Sequence, residues 1–219
     1  MVEQLRQLSL DTVRGNLERV QAQIARAGRG GGEVEVLVAV KYVPVELMEV
    51  LAQAGVRLVG ENRAQELLAK EQAHPGRFTW DFIGQLQSRK VKQLLGQVRY
   101  IHSVASDSVL EQLRRNAGPE TEVLVEVNVA GDPDKSGVAP QRLDAFLERC
   151  PVTVAGLMTM PPQAAGAEDS RGYFAQLRKL AERHGLRELS MGTSQDYLVA
   201  LQEGATIVRL GSTVLRPST

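Results

Sequence analysis

Residues 34–60 read VEVLVAVKYVPVELMEVLAQAGVRLVG, and the way this stretch changes its period decides the fold. Its first part, VEVLVAVKY (34–42), is a short apolar run rich in valine, the signature of a buried strand. The next part, VELMEVLAQAG (45–55), spaces its apolar residues for one face of a helix. It stops at Gly55, where a left-handed residue suits a helix end. RLVG (57–60) then forms a second apolar run. Strand, helix and strand in direct succession make a parallel pair, because the helix carries the chain back to where the first strand began.

The alternation continues along the chain. Apolar runs recur at 78–84 (FTWDFIG), 100–105 (YIHSVA), 122–130 (EVLVEVNVA), 153–160 (TVAGLMTM), 188–192 (ELSMG) and 206–213 (TIVRLGST). Helical patterns lie between them: RAQELLAKEQAH, RKVKQLLGQV, SVLEQLRRNAG, APQRLDAFLERC, YFAQLRKLAERHG and DYLVALQEG. Eight strands, the first seven each followed by a helix, fit an α/β fold in which the parallel sheet closes into a (β/α)8 barrel of TIM type. An open doubly-wound sheet is the competing topology. Ahead of the barrel, residues 2–27 set Leu5, Leu8, Leu10, Val13, Leu17, Val20 and Ile24 on a helical face, which predicts an extra N-terminal helix. The run GRGGG (28–32) has no strand before it and no GKS or GKT after it, so it reads as a linker rather than a phosphate loop. No composition break interrupts the units, so residues 1–219 are expected to form one domain, with helix and linker in 1–32 and the barrel in 33–215.

Composition narrows the function classes. A hydrophobic fraction of 43% is ample for a core. Lys plus Arg and Asp plus Glu both total 26, so no net field draws the chain to nucleic acid or to a membrane. Cys150 is the single cysteine, which excludes an internal disulfide and a cysteine zinc cluster, and no metal site is expected. The N-terminal segment is charged throughout, and no run approaches the roughly 20 apolar residues of a membrane span. The expectation is a cytoplasmic protein.

Function in such barrels gathers at the C-terminal ends of the strands. Those positions hold Lys41, Glu61 with Asn62, Gly84 with Gln85, His102 with Ser103, Asn128, Met158 to Met160, Ser190 to Ser194, and Arg209 to Thr213. Lys41 ends an apolar strand. Its amine either reaches out to water or is desolvated inside the barrel mouth, where a lowered pKa leaves a neutral amine able to form a Schiff base. Ser190-Met191-Gly192-Thr193-Ser194 precedes a helix starting near Gln195 and Asp196, so hydroxyls and free N–H groups gather where an anion is favoured. Gly211-Ser212-Thr213 offers a second donor-rich turn, and the loops after strands seven and eight commonly build a phosphate site. The plainer reading is that these Ser and Thr side chains cap the helix. Arg209 should point inward nearby, toward a bound ring, onto a phosphate, or into a rim salt bridge with Glu61.

Taken together, VAVKYVP (38–44), GENRAQE (60–66), FIGQLQSRK (82–90), IHSV (101–104), VNV with KSG (127–137), GLMTM (156–160), LSMGTSQD (189–196) and GATIVRLGS (204–212) resemble the pyridoxal phosphate homeostasis protein family. The resemblance spans about residues 34–213 in the family's order. It implies a barrel like that of alanine racemase, holding pyridoxal 5′-phosphate as an aldimine on Lys41. It further implies that Asn62 lies beside the ring. Ser194, Gly211 and Ser212 would reach the phosphate, with Met191, Gly192 and Thr193 around them, and Arg209 would face the pyridine nitrogen. A permanently charged guanidinium there keeps that nitrogen unprotonated and weakens the electron sink on which amino-acid chemistry depends. The family is implicated in maintaining vitamin B6 and amino-acid pools, with apo-enzymes that use the cofactor as its acceptors. The sequence departs from the family at Val40 (usually Ser or Thr), Gln85, Ala105 (usually Asp), Thr193, Gln195 and 214–216.

Two enzyme readings stand beside the carrier. A racemase-like enzyme of weak activity needs a second proton donor, and about six residues after the eighth strand leave no room for the β domain that supplies one in alanine racemases. A lysine aldolase for phosphorylated sugars would share the lysine and phosphate layout but needs an acid or base beside Lys41, and no acidic residue flanks it. No residue is therefore assigned a catalytic role. A monomer is expected, with a dimer left open.

Overall fold

The computed structural model describes residues 5–27, 34–162 and 166–217. The glycine-rich stretch 28–32 read as a linker lies outside them. Eight strands, β1 (Glu35–Ala39), β2 (Leu58–Glu61), β3 (Thr79–Phe82), β4 (Tyr100–Val104), β5 (Glu122–Glu126), β6 (Thr153–Met158), β7 (Glu188–Thr193) and β8 (Ile207–Leu210), pair in parallel in sequence order. β8 then closes onto β1, from Glu35 opposite Ile207 to Val38 opposite Leu210. That seam is absent from an open sheet, so the chain is a (β/α)8 barrel.

Period-two alternation sorts each strand between two cores. Outward residues such as Val38, Val59, Trp80, Phe82, Ile101, Val123, Val125, Leu157, Leu189, Val208 and Leu210 bury against the surrounding helices. Leu37, Leu124, Ala155, Met158 and Ile207 fill the barrel, with Leu58, Ile83 and Tyr100 packed on them. The helices are α2 (Met48–Gln53), α3 (Ala64–Ala73), α4 (Val91–Leu94), α5 (Asp107–Asn116), α6 (Leu143–Glu148), α7 (Arg171–Arg183) and α8 (Tyr197–Gln202). Gly55, Gly185 and Gly204, beyond α2, α7 and α8, take positive φ, as their places at helix stops suggest.

Several boundaries differ from the sequence expectation. The leading helix, α1 (Leu10–Ala27), begins at Leu10 rather than at residue 2, because Ser9 caps it, its Oγ accepting the Thr12 N–H at 3.3 Å. The helix expected over 89–98 shrinks to α4 with a 3₁₀ turn at Ser88–Lys90. A further short helix, α9 (Ser212–Leu215), follows β8, and Asn16 of α1 donates to its terminal carbonyls, Val214 at 3.0 Å and Arg216 at 2.7 Å. Those carbonyls have no partner within α9, which is why a polar residue is buried on α1.

One glycine is demanded by the sheet itself. A Cβ on Gly156 would sit 1.9 Å from the Glu188 carbonyl oxygen of the neighbouring strand. Gly156→Ala should therefore force β6 from β7 and cost at least about 2 kcal/mol, read as a lowered midpoint in urea unfolding. An unchanged midpoint would contradict this packing.

Candidate functional site

A cavity of about 360 Å³ opens at the C-terminal mouth of the barrel, lined by Lys41, Tyr42, Asn62, Ile83, Met160, Thr193, Ser194, Arg209, Gly211 and Ser212 among others. The β1–β8 seam explains why residues so distant in sequence meet. Leu37 stands opposite Arg209, and beyond the ladder Gly211 lies 3.9 Å from Ala39, measured from the position its Cβ would take. On the other side β1 pairs Ala39 with Gly60, which brings Asn62 up beside Lys41.

Lys41 is not in the strand. β1 ends at Ala39, and Val40 to Val43 form a turn closed by the Val43 N–H donating to the Val40 carbonyl at 2.9 Å. The Lys41 side chain is exposed at the cavity wall, with Nζ 4.9 Å from the centre of the Tyr42 ring. Asn62 carries a buried Oδ1 with no hydrogen-bond partner. A buried acceptor without a partner is costly, so it marks a place where a ligand group is expected.

The loops after β7 and β8 are stapled by Ser194, whose Oγ accepts the backbone N–H groups of Gly211 and Thr213, both at 3.2 Å. Ser194 therefore joins the two loops by capping the start of α9 rather than that of α8, and its own proton stays available for donation. Thr193 bonds instead to Asp196 through its N–H (2.7 Å) and its hydroxyl (3.0 Å). Met191 and Gly192 do not line the cavity. Met191 is fully buried on the helix side, and a Cβ on Gly192, at φ +90°, would meet the Ala200 Cβ at 2.6 Å. They shape the site from behind.

Arg209 points inward from β8 and is 6% exposed. It donates to Ser190 Oγ at 2.5 Å and to the Thr159 carbonyl at 2.9 Å, and it rests against the Met160 sulfur. Burial pulls its pKa down to about 10, partly opposed by the fields of Asp196 and Glu126, so it stays charged near neutrality. The rim salt bridge to Glu61 does not form, because Glu61 turns outward to Lys70 of α3.

Behind Arg209 a buried polar chain runs down the barrel. His102 Nδ1 lies 2.8 Å from Ser190 Oγ, and its Nε2 lies 3.0 Å from Asp81 Oδ2. Asp81 is gripped by Arg99 at 2.7 Å and 3.1 Å, and Arg99 reaches Glu35 at 2.6 Å. A guanidinium can only donate, so Ser190 accepts from Arg209 and offers its proton to Nδ1 of a neutral His102, which donates from Nε2 to Asp81. Burial, followed by the Arg209 and Arg99 charges, holds the His102 pKa low against the pull of Asp81.

The sequence reading placed His102 and Ser190 among the strand-end candidates, whereas both lie within the barrel. It passed over Asp81, although a lone carboxylate in FTWDFIG is the same signal as a lone lysine in VEVLVAVKY. Glu126, buried on the inward face of β5 and bonded by Ser136 Oγ at 2.7 Å, was also missed, and burial raises its pKa.

Residues 8–217 match the alanine racemase N-terminal domain family. The pyridoxal phosphate homeostasis protein of Aquifex aeolicus is 42% identical over 210 residues, 90% of this chain and 92% of that protein. The chain belongs to the pyridoxal phosphate homeostasis protein family. PipY of Synechococcus elongatus, solved with PLP bound, superposes with a TM-score of 0.78 at 28% identity, covering 93% of this chain and all of that one. Alanine racemase of Corynebacterium glutamicum, 16% identical with a TM-score of 0.75 over 97% of this chain and 63% of its own, shares the fold. Of the departures from the family pattern, Val40 is buried toward the helices, Ala105 is half-buried and Gln85 is exposed, and none of the three lines the cavity.

The neutral state of His102 has a pH signature. A base with a depressed folded pKa binds more protons when unfolded, so its contribution is present above the usual value near 6.5 and is lost as pH falls below it. Stability should fall between about pH 7 and pH 5, and His102→Gln should flatten that slope while lowering the plateau. Urea unfolding at both pH values checks it, and equal slopes would remove His102 as the source.

Proposed function

We propose that this protein binds pyridoxal 5′-phosphate at the barrel mouth and serves intracellular vitamin B6 homeostasis, as a carrier rather than an amino-acid-converting enzyme. The observation that carries this is the convergence of Lys41, Asn62, Ser194, Arg209, Gly211 and Ser212 on one cavity of about 360 Å³. The residues fit the group. Ser194 and Ser212 supply hydroxyls for a phosphate, with Thr193 and Gly211 as small neighbours, and Gly192 with Met191 keeps that wall close to α8. Asn62 presents an amide whose Oδ1 lacks a protein partner. Among the described residues Lys41 supplies the one lysine amine at the cavity wall, and PipY, a relative of this chain, was solved with PLP bound.

When bound, the cofactor supplies an aldehyde for a lysine and a ring able to draw electrons from attached groups. Arg209, charged and fixed by Ser190 and the Thr159 carbonyl, would present its guanidinium to the ring and so withhold the proton that would make the ring nitrogen a strong sink. Lys41 would hold the aldehyde end, and the hydroxyl of Ser194 would orient the phosphate. Among the described residues no carboxylate, histidine or cysteine lines the cavity, and Tyr42, next to Lys41 in the chain, is the one other lining side chain suited to proton exchange. Two-base racemisation is poorly served by neighbours on one turn. Transfer to apo-enzymes, in the cytoplasm and from a monomer, goes with this reading. No described helix is long and apolar enough to cross a membrane, and no described cluster of His, Cys, Asp or Glu could hold a metal.

The purified protein should be yellow, and borohydride should fix the cofactor to Lys41, located by peptide mass. Lys41→Ala should abolish the fixed label, and Ser194→Ala should weaken binding by about tenfold or more, the loss of a charge-assisted hydrogen bond. A colourless protein that takes up no added cofactor would overturn the reading. Alanine racemisation near 10 per second, an ordinary enzyme rate, would overturn the carrier role while leaving the binding site intact.

A further inference from the structure

Glu61 and Lys70 form the most enclosed pairing of a lysine or arginine with a carboxylate among the described residues, with side chains 1% and 2% exposed. Glu61 ends β2 with its side chain turned toward the helices, and Lys70 meets it from the last turn of α3. Lys70 Nζ lies 2.5 Å from Glu61 Oε2 and donates to the Val40 carbonyl at 2.8 Å. Glu61 Oε1 accepts the N–H groups of Asn62 at 2.7 Å and Arg63 at 3.3 Å. The Val40 carbonyl is the same oxygen that closes the turn carrying Lys41, and the Val40 N–H is held by the Gly60 carbonyl at 2.9 Å.

A buried ion pair is a weak source of stability, because desolvating two charges offsets their attraction, and an apolar pair of similar volume often serves as well. This pair bonds the two turns from which Lys41 and Asn62 enter the cavity. The Lys41 side chain is exposed, and its amine rests 4.9 Å from the centre of the Tyr42 ring. The reach and direction of that amine are therefore decided by the backbone of its turn, which Lys70 grips one residue upstream.

We propose that Glu61 and Lys70 are positioning residues for Lys41, fixing its turn against β2 so that the amine meets an aldehyde ligand at a reactive angle. This rests on the reading of Lys41 as the lysine that takes the cofactor. Lys41 loses a proton to solvent, its Nζ lone pair makes the C–N bond at the aldehyde carbon, and the aldehyde oxygen leaves as water with the two hydrogens that remained on Nζ as the C=N bond forms. The geometry of that approach is what a loosened turn spoils, whereas phosphate binding at the β7 and β8 loops does not depend on it.

The test separates the two. In the double variant Glu61→Gln with Lys70→Met both charges go, while the Gln amide oxygen still accepts the Asn62 N–H. Its rate of covalent attachment to pyridoxal 5′-phosphate, followed by absorbance and borohydride trapping, should fall roughly tenfold or more. Its affinity for pyridoxine 5′-phosphate, which has no aldehyde, should stay within about twofold, less than half of a tenfold step in free energy. Attachment at the parent rate would overturn the positioning role, and so would an equal loss for both ligands, which marks a structural role alone. If the double variant lacks the parent's circular dichroism, Glu61→Gln alone is judged by the same criteria. A parent chain that attaches no cofactor at Lys41 would instead sink the underlying reading, and this inference with it.

Discussion

Closure of β8 onto β1 is the constraint on which the rest of the molecule depends. Val38 stands opposite Leu210, and the two chains continue side by side past their strand ends until Gly211 comes against Ala39. A helix-wrapped barrel thereby brings the first strand-end loop beside the last, although more than half the chain separates them. The lysine turn, the Asn62 turn and the Ser194 staple then share one mouth. An open sheet built from the same eight strands would leave Lys41 and Arg209 on no common surface. Parallel closure also fixes polarity, since every strand ends at the same face and every loop after a strand can contribute to one site.

The barrel interior mixes two materials with different consequences. Its leucine, isoleucine and methionine layer stabilises through burial, with little demand on exact geometry. The chain from Glu35 through Arg99, Asp81, His102 and Ser190 to Arg209 is different. Its buried members, Asp81, His102, Ser190 and Arg209, each cost free energy to bury unless a partner is present, so the chain tolerates one arrangement and holds Arg209 to it. The guanidinium at the mouth is thus oriented from below by groups that never touch a ligand. Its immediate partners are a hydroxyl, a carbonyl and a thioether, none of them charged. An arginine bonded to neutral groups keeps its charge directed at whatever enters the cavity.

Much of the site was legible because charged and small polar residues stand out in apolar strands. Lys41 in VEVLVAVKY, Arg209 in TIVRLGST and the small-residue run at 190–194 each break a pattern that burial otherwise enforces. Asp81 breaks it too and could have been found by the same rule. Lys70 could not. In RAQELLAKEQAH a lysine is ordinary, and only packing of α3 against the end of β2 makes it a buried cation bonded to Glu61 and Val40. Ser194 has a different partner from the one its position suggested, because the start of α9, from the neighbouring loop, offers its N–H groups ahead of those of α8.

By itself, then, the sequence determined the element order, the parallel sense of the strands, the extra leading helix and most of the strand-end residues that line the mouth cavity. These follow from periodicity, glycine stops and residue chemistry, all of which are local. Only the tertiary structure decided that Lys41 sits in a turn past its strand, and that Met191 and Gly192 stand behind the cavity wall. It also decided that Glu61 serves Lys70 rather than Arg209, and that His102 lies within the barrel. The reason is common to all four. Which face a residue presents depends on strand register and on which neighbour fills the space opposite, and neither is written in the spacing of a single segment.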